Sequence, residues 1–367
     1  MRYVSIRSFN AMGVAPYGFM FKPDYKNIEN AALNKPSDRI PLYEHNISPT
    51  FMERITGEKF AHLQGGSYED KIEFFKHYNE FQLNLGYDAI TYECCVGFIL
   101  PGGGALGGHK KGIIQTREDF EKYPWDSLCD RYFTAFSNDF KALRETMPEG
   151  MRAIGGVGNG VFEFVQDLVG LEDLCYMKLD DEDLYNDMFK KAGDILVQIW
   201  NQFLPEFGDI YCVCRFGDDL GFKSATLLHE EDVRSLIIPQ YKRVVETVHA
   251  AGKPFLLHSC GCIFNVMDDI ISQAGIDAKH SNEDAISPYS DWIDKYGDRI
   301  GNFGGLDTDA LCDVNPCDIV EYATNVYKVC EKKGRGIAIG SGNSIPDYVS
   351  ERKYLKGIET LRRLRGE

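Results

Sequence analysis

No run of about twenty apolar residues occurs in the 367-residue chain, and the stretch MRYVSIRSFN (residues 1–10) has no uninterrupted apolar core. A membrane-spanning helix needs the first and a secretory signal the second, so the expected location is the cytoplasm. Basic residues are outnumbered: 40 Lys and Arg face 56 Asp and Glu, a formal net charge of -16. Nucleic acids and anionic membranes bind through clustered Lys and Arg, so neither is an expected partner. Low-complexity linkers and short repeats are missing as well. The eleven cysteines are an odd number and, in a cytoplasmic protein, stay reduced, which excludes a complete disulfide framework. Cys129, Cys175, Cys212, Cys214 and Cys330 read as small buried hydrophobes. Neither PGGGALGGHKKG (Pro101–Gly112) nor GGVGNG (Gly155–Gly160) has the spacing and context of a phosphate or dinucleotide loop. Both are expected to be flexible active-site loops, with His109 and Lys110 either meeting an anionic substrate or solvated.

What the chain does have is a long rhythm. Short apolar runs end in Gly or polar residues and are followed by amphipathic segments. The runs are RIPLYEH (39–45), YDAITYECC (87–95), MRAIGGVGNG (151–160), DIYCVCRFGDD (209–219), KPFLLHSCG (253–261), IDAKHSNE (276–283), IGNFGGLD (300–307) and GIAIGSGN (336–343). Helical patterns cover about 70–85, 181–204, 231–251 and 315–333; in the third, Val233, Leu236, Ile237, Tyr241, Val244, Val245 and Val248 fall mostly at three- and four-residue steps. Alternating strands and helices imply a parallel sheet. Eight such units predict an α/β fold: a (β/α)₈ barrel in one domain, residues 1–367. Residues 1–38 form an N-terminal helical extension, and a long insertion follows the second strand. An open doubly wound sheet is the alternative.

In a barrel the chemistry lies at the C-terminal ends of the strands, and polar residues recur there. Glu44, His45, Asn159, His280, Ser341 and Asn343 are candidate substrate contacts. His258 and Cys260 follow an apolar strand two residues apart and can face one ion, as imidazole and thiolate do in catalytic zinc sites. Glu93 and Cys262 are further candidate ligands. Two other readings stay open: a cysteine nucleophile activated by His258, and a strand end with a hydrogen-bonded histidine and a buried cysteine. Asp218 and Asp219, in RFGDDLGF, suit general acid–base work or support of a metal-bound histidine; a turn and helix-cap cluster is the alternative.

GDDLGF (Gly217–Phe222) followed by IIPQYKRVVETVHAAGKPFLLHSCG (Ile237–Gly261) resembles the uroporphyrinogen decarboxylase superfamily. The resemblance is to its branch of cobamide-dependent methyltransferases, which includes methylcobamide:coenzyme M methyltransferase. It extends more loosely from RIPLYEHN to GSGNSIP. It implies a (β/α)₈ barrel in which His258 and Cys260 are two zinc ligands. A cysteine after the last strand would be the third, but Ser341 stands there. A replacement would come from Glu93, Cys95, Cys262 or Asp307. The implied reaction moves a methyl group between a small substrate (a thiol, tetrahydrofolate or a methoxy compound) and a corrinoid. The chain has no D-x-H-x-x-G segment, so the corrinoid would be carried by a separate protein docking near Phe98–Ile114. The R-Q-A-G-R motif of the decarboxylases proper is missing. A metal-free decarboxylase of a smaller acid, using Asp218 or Asp219, and a non-catalytic corrinoid- or pterin-binding barrel are the competing readings.

Overall fold

A computed structural model describes residues 21–108 and 110–367. His109 and residues 1–20 of the expected N-terminal extension lie outside the described residues; the described part of that extension holds the helix Lys26–Ala32. The fold is α/β, with a seven-stranded sheet whose strands follow chain order: β1 (Ile90–Cys95), β2 (Ala153–Gly158), β3 (Tyr211–Gly217), β4 (Phe255–His258), β5 (Ala278–His280), β6 (Gly301–Leu306) and β7 (Ile337–Ser341). Every residue of β2 to β7 is buried. Strands covered on both faces lose the alternating pattern and become apolar runs, which is why each was visible in the sequence. Among the described residues no helix is long and apolar enough to cross a membrane.

The chain forms two compact units. Of the described residues, one comprises Tyr92–Phe140 and Ile154–His280; the other comprises 21–91, Lys141–Ala153 and Ser281–Glu367. In the first, β3, β4 and β5 are parallel, with Gly217 beside His258 and His258 beside His280. The helices Glu182–Phe207 and Ile238–Ala250 pack against each other. The former contributes Trp200 and Phe203 to an aromatic core with Phe140 and Tyr211. The expected helix over 231–251 is continuous in direction but not in type. Val233–Ile237 is a π-turn, and Pro239 opens the α-helix after it. Proline has no N–H for the carbonyl four residues back, so the preceding turn widens.

In the second unit β6 and β7 are parallel, from Asn302 beside Ile337 to Leu306 beside Ser341. The run expected as a first strand, 39–45, appears as one isolated parallel bridge, Leu42 to Ile339, with a second just beyond it, Ile47 to Ile345. Tyr43 N–H donates to Ile339 O (3.0 Å) and Ile339 N–H to Pro41 O (2.9 Å). The next rung of such a ladder would take Ser341 N–H to Tyr43 O. That N–H instead meets the Glu44 carboxyl, at 3.1 Å, so the ladder stops.

The GGVGNG segment is not a flexible loop. Gly155, Gly156 and Gly158 are buried in β2, and only Asn159 and Gly160 extend past it. Gly156 has φ +109, and a Cβ there would stand 3.0 Å from both Phe203 and Trp200. Replacing it combines backbone strain with overpacking. Gly156→Ala is therefore expected to lower the unfolding free energy by about 2 kcal/mol in denaturant titrations.

Candidate functional site

His258 closes β4 and is 4% exposed. Its Nδ1 lies 2.7 Å from His280 Nδ1, the neighbour set by the β4–β5 register. Its Nε2 points the other way, 3.4 Å from Cys260 Sγ and 3.6 Å from Asp219 Oδ1. These three ligand atoms all lie within 4.8 Å of one another. Burial pushes the His258 pKa well below its usual value, and the positive fields of His280, Arg215 and Lys279 add to it. The ring is therefore neutral, the form that ligates metals. Ligation through Nε2 requires the proton on Nδ1, and His280 Nδ1 is placed to accept it. Asp219 is tied to the same turn: Cys260 N–H donates to its Oδ1 at 2.8 Å. The donor set, a neutral imidazole, a thiol and a carboxylate, fits a zinc-type ion.

The neighbouring carboxylates divide by environment. Asp218 is fully buried, and its carboxylate accepts from Phe162 N–H (2.9 Å), Glu163 N–H (2.7 Å) and Tyr241 Oη–H (2.5 Å). The helix Val161–Val169 is preceded by Gly160, which has no side chain to cap it. Asp218 supplies that cap from the end of β3, where the helix N-terminus favours a negative charge. A Cβ on residue 160 would collide with the Asp218 side chain at 2.3 Å, so glycine is required there. Burial raises the Asp218 pKa to about 6, against the hydrogen bonds, which lower it. Of the two readings, these contacts favour the cap for Asp218.

Glu163 went unnoticed in the sequence. It accepts from Asn159 Nδ2 (2.7 Å) and more loosely from Asp219 N–H (3.4 Å). Asn159, at φ 64, accepts from Gly97 N–H (3.0 Å) through its Oδ1, which aims its amide at Glu163. Burial, followed by the charges of Asp218 and Asp219, holds the Glu163 carboxyl well above the usual range. A glutamate in the first turn of a helix ordinarily faces solvent, so no local signal marks it.

Other candidates are engaged elsewhere. Glu93 pairs with the fully buried Arg215, Oε2 to Nη2 2.8 Å and Oε2 to Nε 3.1 Å. Burial and the charges of Glu93 and Glu163 push the Cys95 thiol well up, which disfavours the thiolate a metal needs. Neither Glu93, Cys95 nor Cys262 joins a group of three metal-competent side chains among the described residues. Asp307 organises its own loop, accepting from Asp284 N–H (2.6 Å) and Asp309 N–H (2.7 Å). The first part of the loop after β1 is pinned rather than flexible: Asp167 Oδ1 accepts from Gly104 N–H (2.8 Å) and Leu106 N–H (3.2 Å).

In the other unit Glu44, Ser341 and Asn343 come together, and His45 beside them is buried. Glu44 accepts from Tyr87 Oη–H (3.1 Å), and Tyr87 Oη lies 2.8 Å from Tyr354 Oη. Ser341 Oγ touches both the Glu44 carboxyl and the Asn343 carbonyl oxygen. One hydroxyl proton cannot serve two acceptors. A protonated Glu44 resolves the conflict by donating to Ser341 Oγ, which then donates to Asn343 O. Asn343 Oδ1 meanwhile accepts from Ser344 N–H (2.7 Å). Burial raises the Glu44 pKa from 4.5 to about 7, against its hydrogen bonds.

The sign of that shift sets a pH dependence. Between pH 4.5 and 7 the folded state holds a proton on Glu44 that the unfolded chain releases, so the stabilisation is full below 4.5 and is lost as pH rises through 7. The loss amounts to about 3 kcal/mol. Denaturant unfolding from pH 4 to 9 is expected to show wild type weakening relative to Glu44→Gln by that amount, with most of the difference complete by pH 8. A constant difference between the two would refute the assignment.

Comparison with known proteins places this geometry in a family. A methyltransferase from Methanosarcina mazei is 15% identical, covers 94% of this chain and 98% of its own, and has a TM-score of 0.71. A 3-keto-D-glucoside 4-epimerase from E. coli, at 10% identity over 80% of this chain and 95% of its own, has a TM-score of 0.45. The first shares the fold. Comparison with curated proteins yields no match. The family model described as Uroporphyrinogen decarboxylase (URO-D) matches residues 109–363, more than two thirds of the chain. The chain belongs to the uroporphyrinogen decarboxylase family.

Proposed function

We propose that this protein is a zinc-assisted methyltransferase, exchanging a methyl group between a small substrate and a corrinoid carried by a separate protein. The observation that carries the reading is the approach of His258 Nε2 to Cys260 Sγ, 3.4 Å, with His280 against the far nitrogen of the ring. Likeness in fold to a methyltransferase supports it. The parallel bridge from Leu42 to Ile339 supports reading the run 39–45 as an eighth strand of a (β/α)₈ barrel.

His258 and Cys260 would hold the zinc. When bound, it supplies a Lewis acid beside the substrate atom that gives or takes the methyl group. The remaining work falls to side chains already in place. His280 keeps the His258 proton on Nδ1 and so leaves Nε2 free to ligate. Asp218 anchors the helix that carries Glu163, and Glu163 keeps a proton beside Asp219 to higher pH than an ordinary carboxyl. The pinned loop after β1 presents Phe98, 83% exposed, over a groove of about 600 Å³ bordered by Leu100, Pro101 and Arg131. This is the surface offered to the corrinoid protein. The metal-free decarboxylase reading would fall to Asp219, since Asp218 is committed to its helix.

Protein purified without chelator is expected to carry close to one zinc per chain by elemental analysis. His258→Ala and Cys260→Ala should each lose it while keeping the wild-type circular dichroism spectrum. A wild type that folds but holds no metal would sink the proposal. Methyl transfer from methylcobalamin to a panel of thiols and tetrahydrofolate then separates enzyme from binder. His280→Ala, which removes only the partner of the ligand, should weaken zinc affinity by roughly 10- to 100-fold in competition with a chromogenic chelator.

A further inference from the structure

The position where the resemblance calls for a third thiolate is Ser341, whose hydroxyl is engaged by Glu44 and the Asn343 carbonyl. We infer that Asp219 supplies the third protein ligand, giving a mixed nitrogen, sulfur and oxygen set with His258 and Cys260. This inference rests on the zinc reading and goes beyond it by naming the ligand.

The placement comes from the sheet. Gly217 of β3 sits beside His258 of β4, so two residues further on Asp219 runs beside Cys260. The two loops then hold each other. Cys260 N–H donates to Asp219 Oδ1 (2.8 Å), and Gly221 N–H donates to Cys260 O (3.1 Å). Asp219 Oδ1 is 3.6 Å from His258 Nε2, and the carboxylate, imidazole and thiol atoms all fall within 4.8 Å of one another. A second, independent observation marks His258 as a ligand: His280 Nδ1 meets the ring nitrogen that must keep its proton when the other binds an ion.

Asp219 and Asp218 are neighbours in sequence with opposite surroundings. Asp218 is fully buried under the helix that it caps, whereas the Asp219 side chain is 43% exposed. An open side leaves room for a fourth, exchangeable position, as catalytic zinc sites require. Cys⁻ and Asp⁻ balance the two charges of the ion, as two thiolates would, but a carboxylate is the harder donor. The resulting centre is a harder Lewis acid than one with two sulfurs.

Cobalt(II) alone, titrated into metal-free full-length protein, tests this. Wild type should bind one equivalent and show near-ultraviolet thiolate-to-cobalt absorption of one sulfur's intensity. Asp219→Ala should keep that absorption but alter the visible ligand-field bands and lower cobalt affinity at least roughly tenfold, the floor set by loss of even an outer partner. Asp219→Cys should add a second thiolate and about double the near-ultraviolet intensity. Asp219→Asn, which preserves an acceptor for Cys260 N–H, guards against a folding defect and should also weaken binding. Unchanged affinity and visible bands in Asp219→Ala and Asp219→Asn would overturn the inference alone, leaving the His258 and Cys260 metal reading intact. A folded wild type that binds no cobalt would overturn both.

Discussion

Gly217, His258 and His280 lie in one row across three parallel strands, and the candidate site depends on that alignment. Parallel pairing repeats every residue's offset along neighbouring strands, so the turn beyond one strand end runs alongside the turn beyond its neighbour's. The row puts two imidazoles in contact and lays the Asp219 turn against the Cys260 turn. A one-residue slip between β3 and β4 would turn every side chain of one strand to the opposite face. It would take Asp219 out of step with Cys260 and His258. The strands hold their register because each is buried on both faces.

The acidic residues near the strand ends show how environment assigns roles to one kind of group. Asp218, under Tyr241 and two backbone N–H groups, is a helix cap. Asp219, half-exposed, keeps a lone pair toward His258. Glu163 sits between two carboxylates and retains its proton. Glu93 compensates a buried arginine. Glu44, in the other unit, is an acid in a ring of hydroxyls. In Asp218, Glu163 and Glu44 burial works against ionisation, and the local donors oppose it. The same logic keeps His258 neutral: a buried imidazole beside another imidazole keeps a lone pair.

Membership in the uroporphyrinogen decarboxylase family describes the scaffold, and the same scaffold serves different chemistries. This chain has local features of its own. It has no cluster of arginines in its early strand region, and its strand-end donors are imidazole, thiol and carboxylate. At the position where the resemblance calls for a third thiolate, a serine is held inside a hydrogen-bond network of its own.

The sequence by itself determined the strands and helices, because burial on both faces writes itself as apolar runs and one-sided burial as a helical period. It also determined that His258 and Cys260 share a direction, since residues two apart on a strand must. Only the tertiary structure decided which carboxylate joins them. Asp218 and Asp219 are equivalent in the sequence, and their difference is created by Gly160 and Tyr241, one 58 residues before Asp218 and the other 23 after it. Glu163 and the His280 contact were hidden for the same reason: each gains its meaning from a partner on another strand or helix. The glycine pair of β2 looked like a loop because glycine signals freedom of backbone, and only packing shows that the freedom is used to admit Trp200 and Phe203. The shortened first strand was likewise invisible, since its ladder ends where one side-chain carboxyl takes a backbone N–H. Local sequence encodes period and burial; long-range contacts alone assign partners to charges.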